Sequence, residues 1–450
     1  MANQVEKLNG IAITSIEKVN GLTATQDTGG TAIDGGTGFN TARSEGTSLA
    51  FDPDTNQVII AFSDGGSSTV PTIRIGTVSG TTITFGDKIV VSSDTNGTTS
   101  TGCHYDTNTN RLIVTYRSPY SAYWTNAGVF AKAFELNSSR GVDTAGSVAT
   151  VFNSSGNNEV SRNNLSEIQD HDGVVDILYE DYSNGKDYVN TVKINDASAC
   201  SLTVGSAAEF NDDSDNFFGI AYSPDADVNV IMYTKGNALR ARTITHFSGD
   251  PSLGSYANYG LSNCELDATD PHGGSCMIYD TEHNKFHFLF RYGGSSSSNA
   301  VNDNLYIGNL SVSGTSVTFA STSGTSMNNT VEIDDLKYGR HFGSNQPGAG
   351  LIYSHQRQRI IMHGNDANSE TGGTKNFHII DFNGSAYTKT SSYTAINTLN
   401  GAPWDTGAIR TDNASGTFGN VNLFSYFIYS GSNDGKTFIQ GIDAGDSTIS

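Results

Sequence analysis

The octapeptide Val78-Ser-Gly-Thr-Thr-Ile-Thr-Phe85 returns as Val312-Ser-Gly-Thr-Ser-Val-Thr-Phe319, 234 positions later, with six of eight residues identical. Repetition at this scale constrains architecture more than any single residue, because each copy must be a unit that buries its apolar face on its neighbours. The full unit opens with an aromatic or apolar residue, crosses a polar turn and closes a β-rich run on an aromatic. Leu49-Ala-Phe51-Asp52-Pro-Asp-Thr-Asn56-Gln-Val58-Ile-Ile-Ala-Phe62 is one copy, and Cys103-His-Tyr105-Asp106-Thr-Asn-Thr-Asn110-Arg-Leu112-Ile-Val-Thr-Tyr116 is the next. Further copies run over Ile168–Tyr179, Ile220–Tyr233, Met277–Phe290 and Leu351–Met362, with a divergent seventh at Val421–Tyr429. The anchors at 51, 105, 168, 222, 279 and 353 lie 54, 63, 54, 57 and 74 residues apart.

A second hairpin follows each copy, as in Ile73–Phe85 and Leu305–Phe319, with weaker counterparts from Val129, Tyr188, Leu239, Phe377 and Thr437. The runs are β-branched and aromatic and are bounded by Gly, Asn, Asp and Ser, which is the signature of strands. Continuous apolar runs such as Val58–Phe62 suit inner strands buried on both faces, and alternating runs suit strands nearer an edge. Two hairpins per unit make four antiparallel strands, the content of a propeller blade. The expected fold is therefore an all-β propeller of about seven four-stranded blades, with six or eight as the neighbouring counts. The last copy stops about one strand short, so a strand from early in the chain should complete it and remove both open edges.

The first 40 residues differ from the rest. Leu8-Asn9-Gly10-Ile11 is echoed by Val19-Asn20-Gly21-Leu22 at a spacing of 11, and a Thr/Gly-rich stretch follows over 28–38. Asn-Gly between apolar residues favours a tight hairpin turn. This divides the chain into an N-terminal extended arm with linker (1–40), read as an attachment segment, and a propeller (41–450). The arm's candidate docking residues are Leu8, Asn9, Gly10, Ile11, Val19, Asn20, Gly21 and Leu22; a disordered tail is the alternative.

With 25 basic and 46 acidic residues the formal charge is −21. Such a surface repels phosphate backbones and anionic lipid, which argues against nucleic acid as a partner. No apolar run approaches the length of a membrane helix, and the N-terminus lacks the basic start and apolar core of a secretion signal. Cys103, Cys200, Cys264 and Cys276 form no CxxC pair and read as buried thiols, with a Cys264–Cys276 disulfide as the alternative.

Three unit turns carry alternating oxygen donors: Asp52/Asp54/Asn56, Asp106/Asn108/Asn110 and Asp280/Glu282/Asn284. They could ligate calcium, but the glycine at position 6 and glutamate at position 12 of a calcium hand are missing. Asp and Asn also build turns by bonding their own backbone, and that reading is favoured. Ser432-Asn-Asp434-Gly435-Lys-Thr-Phe438 is a near miss to the Asp-box of sialidase-type propellers, a structural turn. Acidic pairs such as Glu180-Asp181, Asp212-Asp213 and Asp334-Asp335 are expected by chance in so acidic a chain. Glycoside hydrolysis needs two positioned carboxylates, and Arg43, Arg74, Arg117, Arg162, Arg291 and Arg340 show no spacing that selects a triad. His283 and His287 would sit about 13 Å apart if both lay in one strand, so they read as a turn residue and a packed strand residue. No catalytic, metal or cofactor residue is assigned. The mixed-charge stretch around Arg340 and His341 reads as a solvated connection. Tyr120, Tyr123 and Trp124, after Ser118-Pro119, are candidate glycan or interface aromatics, with packing between blades as the alternative.

Phe51–Phe62 followed by Gly76–Gly86 resembles repeat-containing propeller virion proteins of tailed bacteriophages, especially marine and cyanobacterial ones. The opening Lys7-Leu-Asn-Gly-Ile-Ala-Ile-Thr-Ser-Ile-Glu-Lys-Val-Asn-Gly21 is similar to the start of other virion structural proteins from such phages. The resemblance implies a non-enzymatic virion component: a tail protein, fibre or spike, or a capsid decoration. It would be present in several copies and contact neighbouring virion proteins or host surface polysaccharide. A carbohydrate-active propeller and a secreted adhesion propeller are the competing readings.

Overall fold

The repeats fold as the strand pattern requires. In this computed structural model the described residues are the strands and short turns of 37–443 and, further N-terminal, the pairs 7–8, 11–12, 18–19, 22–23 and 31–32. The connecting segments 94–100, 119–127, 154–163, 168–173, 213–217, 267–276, 293–303, 321–330, 338–349, 366–374, 395–401, 410–420 and 430–435, shorter gaps between strands and the tail after 443 lie outside them.

Among the described residues seven antiparallel sheets follow one another, the first six with strands in sequence order from the centre outward. Blade one is Ser44–Asp52, Gln57–Asp64, Val70–Ser79 and Thr82–Val90. Blade two begins with Thr101–Asp106, blade three with Asn164–Glu167 and blade four with Phe218–Ser223. Blade five has a two-piece inner strand, Cys264–Leu266 and Met277–Asp280; blade six begins with Gly350–Ser354. Blade seven is built on Val421–Tyr429 and Lys436–Asp443. The innermost strands touch in that order, and the last meets the first. That closed circuit is a seven-bladed propeller.

The ring is closed by the N-terminal part of the chain. Thr31 and Ala32 pair with Asp443 and Ile442, and Thr37, Gly38 and Asn40 pair with Ile439, Phe438 and Thr437. This segment is the outermost strand of blade seven, so the propeller begins at Thr31 and takes in part of the stretch read as linker. A strand that joins the two chain ends removes the edge that would otherwise be left unpaired. The remaining arm holds two small hairpins in which Leu8 faces Ile11 and Val19 faces Leu22. Asn9-Gly10 and Asn20-Gly21 fall between these pairs and lie outside the described residues.

Second strands carry the burial. Gln57–Asp64 and Val174–Asp181 are buried at every position, because both sheet faces are covered by neighbouring blades. The core therefore divides into seams between blades. Phe39 of the closing strand packs edge-on to Phe62 of blade one, ring centres 5.3 Å apart. At the seam of blades four and five, Tyr259 meets Phe288, Phe290 and Phe319 at 5.1–5.7 Å.

Candidate functional site

The two ends of the ring are built differently. At one end, the first strands of blades one, two, four, five and six turn into the second through four residues, and the last of these adopts a left-handed backbone. Asn56, Asn110, Asp227, Asn284 and Gln358 have φ of 60°, 53°, 52°, 54° and 53°. Asn and Asp tolerate this region best among side-chain-bearing residues, which explains the repeated Asn. The residue opening the turn caps it. Asp52 Oδ1 accepts from the backbone N–H of Asp54 and Thr55, Asp106 from Asn108 and Thr109, and Asp280 from Glu282 and His283. The hydroxyls of Thr55 and Thr109 donate back to Asp52 and Asp106. These carboxylates are buried and held by their own turns. The favoured turn reading of the Asp-x-x-x-Asn pattern is what the geometry displays, and no grouping of three or more His, Cys, Asp or Glu among the described residues suits a metal ion.

The same turns also fasten neighbouring blades. The Tyr105 phenol of blade two is set against Asp52 of blade one, and burial first, then that carboxylate, pushes its pKa well up. Tyr279 of blade five donates to Asp225 Oδ2 of blade four at 2.7 Å. Between blades three and four, the buried Asp176 accepts from Thr191 (3.0 Å) and Asn229 (2.7 Å) and contacts His246 Nε2 at 2.7 Å. Between blades five and six, Asp280 Oδ2 meets His283 Nδ1 at 2.8 Å and His287 Nε2 at 3.3 Å. His287 Nδ1 lies 2.7 Å from the Tyr387 hydroxyl, which also accepts from Asn309 Nδ2 at 3.1 Å. Burial alone would raise the Asp280 pKa, but His287, Tyr353 and His283 together hold it well below the usual carboxylate range. His283 is in the turn and His287 in the strand, as expected. The 13 Å separation does not apply, because the turn at Asn284 folds both imidazoles onto one oxygen.

A third seam device has no counterpart in the sequence reading. One third-strand position reaches back to a main-chain carbonyl on the outer strand of the preceding blade. Arg74 donates to Phe39 O, Lys132 to Val91 O, Asn190 to Val151 O and Arg242 to Phe210 O. Blade five carries Gly308 at this register, and the Phe288 and Phe290 rings fill the space. The acceptors are backbone oxygens and leave no mark on residue type. The one available signal is the Phe-Asn dipeptide ending three outer strands, at Phe39-Asn40, Phe152-Asn153 and Phe210-Asn211.

The opposite end of the ring carries the length. Second-to-third-strand connections 119–127, 293–303, 366–374 and 430–435, and blade-to-blade connections 94–100, 154–163, 213–217, 338–349 and 395–401, all start and finish there. Long segments at the turn end are 168–173 and 410–420. Tyr120, Tyr123 and Trp124 belong to 119–127, which leaves this end beyond the Ser118–Gly128 pair; these residues lie outside the described ones. Surface connections clustered on one end of a rigid scaffold are the usual carriers of binding function.

Several of the residues weighed for glycoside hydrolysis are held by other contacts among the described residues. Glu180 and Asp181 are consecutive on one strand and so point to opposite faces, and Asp181 Oδ2 is bonded by Asn184 at 3.0 Å. Asp212 is paired with Lys235, and Arg74 is spent on the Phe39 and Gly86 carbonyls. Asp213, Arg43, Arg162 and Arg340 lie outside the described residues, as do the side chains of Asp334, Asp335 and Arg291. Cys103 and Cys200 are free buried thiols; burial pushes Cys103 up to about 12. Cys276 and the Cys264 side chain are outside the described residues.

No protein-family model matches the chain, and no curated protein is similar to it in sequence. Solved structures share its outline. The N-terminal domain of Nup159 aligns over 93% of this chain and 96% of that one, with 10% identity and a TM-score of 0.45. A Lactobacillus plantarum protein aligns over 78% and 85%, with 10% identity and a TM-score of 0.46. Trypanosoma rangeli sialidase aligns over 92% of this chain and 59% of its own length, with 9% identity and a TM-score of 0.42. Divergence of this extent brings no activity with it.

Proposed function

We propose that this chain is a non-enzymatic binding protein of a tailed-phage virion, a tail, fibre, spike or capsid-decoration component. Its propeller presents the long connections to a neighbouring virion protein or to a host surface glycan, and residues before Thr31 anchor it. The observation that carries the non-enzymatic part is the commitment of the buried acid and imidazole groups. Asp52, Asp106, Asp176, Asp280 and His287 are each occupied by turn or seam bonds, whereas catalytic carboxylates must face a substrate space. The anchoring part rests on topology: residues before Thr31 leave from the outermost strand of a blade, on the circumference, where they can reach a second body without covering the loop-bearing end.

A carbohydrate-active propeller is the competing reading. Purified protein should be incubated with host surface polysaccharide while both retention on the polymer and release of reducing ends are followed. Retention without release is expected. Time-dependent release of reducing ends would overturn the non-enzymatic assignment.

A further inference from the structure

The seams of the ring are not chemically equivalent. Blades four and five meet through an aromatic cluster around Tyr259, and blades one and two through the Lys132 and Tyr105 contacts. At blades five and six the chain Asp280–His287–Tyr387–Asn309 crosses the seam. His287 is 0% exposed, and Asp280 is likewise 0% exposed.

The hydrogen positions in this chain follow from its two ends. Asp280 is ionised and can only accept, so His287 Nε2 must carry the hydrogen. In a neutral imidazole Nδ1 is then an acceptor, so the Tyr387 hydroxyl donates to it while accepting from Asn309. Every group is satisfied in this one protonation state. If His287 takes up a proton, Nδ1–H confronts the Tyr387 hydroxyl hydrogen, and that hydrogen must turn away from the acceptor it had. Leaving one buried donor unpaired costs about 1–3 kcal/mol.

The surroundings of His287 decide whether solvent protons could matter here. On its own blade it faces Asp280, with His283 and Lys285 nearby; from blade six come Tyr387, the Phe382 ring at 4.8 Å, and Tyr353 behind Asp280. Burial first, then the His283 and Lys285 charges, lowers its pKa against the pull of Asp280. His283 closes the seam from outside, edge-on to Phe382 at 5.2 Å and against Gly384.

We infer that the blade five–blade six seam is an acid-sensitive closure of the ring, in which proton uptake by His287 disconnects Tyr387 and lets the two blades separate locally. The sign follows from linkage. A folded-state pKa below the unfolded value, near 6.5 for histidine, means stability is complete above that value and falls as pH drops beneath it. Asp280, also depressed, adds a loss in the same direction at lower pH.

Hydrogen exchange read by mass spectrometry on the full chain tests this, with protection factors corrected for intrinsic rates between about pH 7.5 and about pH 5. Protection of Lys285–Tyr292 and Tyr387–Thr394 should fall with acid by up to about tenfold per pH unit, the limit for one coupled proton. Peptides of blade one and of Ala257–Ser262, the blade-four side of the four–five seam, should stay level. The variant His287→Gln should abolish the slope at the five–six seam. Should that variant not fold, the comparison between seams in the unaltered chain still decides. Constant protection at the five–six seam, or an equal fall at every seam, would overturn the inference.

Discussion

Replacing Phe39 with alanine should open the ring at the join between its first and last blades. Phe39 is 0% exposed and belongs to the strand Thr37–Asn40, which completes blade seven, yet its ring lies on blade one. It meets Phe62 edge-on at 5.3 Å and Phe85 at 6.4 Å. Truncation of a buried phenylalanine costs about 3–5 kcal/mol, of which about 0.5–1.5 kcal/mol belongs to each ring pair. The neighbouring bonds remain: Arg74 on the Phe39 carbonyl, and Asn40 Nδ2 on Ser44 (2.8 Å) and Asp64 (3.1 Å). A loss near the lower limit, about 3 kcal/mol, corresponds to more than a hundredfold rise in local opening, since each 1.4 kcal/mol is tenfold. Exchange of the Lys436–Asp443 amides, which pair with the closing strand, reads that rise directly. The exposed Val90→Ala is the control and should cost less than about 0.5 kcal/mol. A change below about 1 kcal/mol in Phe39→Ala, with unaltered exchange in Lys436–Asp443, would refute the claim that this strand holds the ring shut.

Other expectations concern turns and close approaches. Gly146→Ala would place a methyl group inside van der Waals contact of the Cys200 carbonyl, where blade two meets the hairpin of blade three; thermal melting should show a loss at the upper end of the roughly 1–3 kcal/mol typical of overpacking. Asn110→Val forces a β-branched residue to φ 53° and should destabilise by about 1–2 kcal/mol in urea unfolding, whereas Asn110→Gly should be nearly neutral. Asp106→Ala removes the acceptor for two backbone N–H groups and the Thr109 hydroxyl, with an expected loss of about 1–2 kcal/mol by the same assay. Because those oxygens are already occupied, millimolar calcium should leave the melting temperature of the unaltered protein unchanged.

The blade plan was legible because its cause is local. In blades one, two and five a four-residue turn that follows an Asp and ends on an Asn doubles the first strand back, and the following apolar run is buried on both faces. The missing strand of the last blade showed as a deficit of length, although its position inside the presumed linker did not. The seams were not legible, for two physical reasons. Arg74, Lys132, Asn190 and Arg242 do the same work with four side chains of unlike sequence context, and they bond carbonyls that any residue provides. His283 and His287 looked too far apart because spacing in sequence converts to distance only within a regular strand, and the left-handed Asn284 lies between them. The third unit shows a further limit: its anchor at Ile168 falls just beyond the inner strand Asn164–Glu167, outside the described residues.

The closing strand also decides how the attachment role must be tested. Cutting after residue 40 would remove Phe39 and Asn40 together with the arm, and so confuse anchoring with folding. A chain beginning at residue 29 keeps Thr31–Asn40 and should retain the melting temperature of the full protein. The decisive measurement is uptake of this shortened chain by virus particles that lack the protein, beside uptake of the full chain. A folded propeller that fails to incorporate, while the full chain does, is the result the account requires. Equal incorporation of both, or of neither, would contradict it.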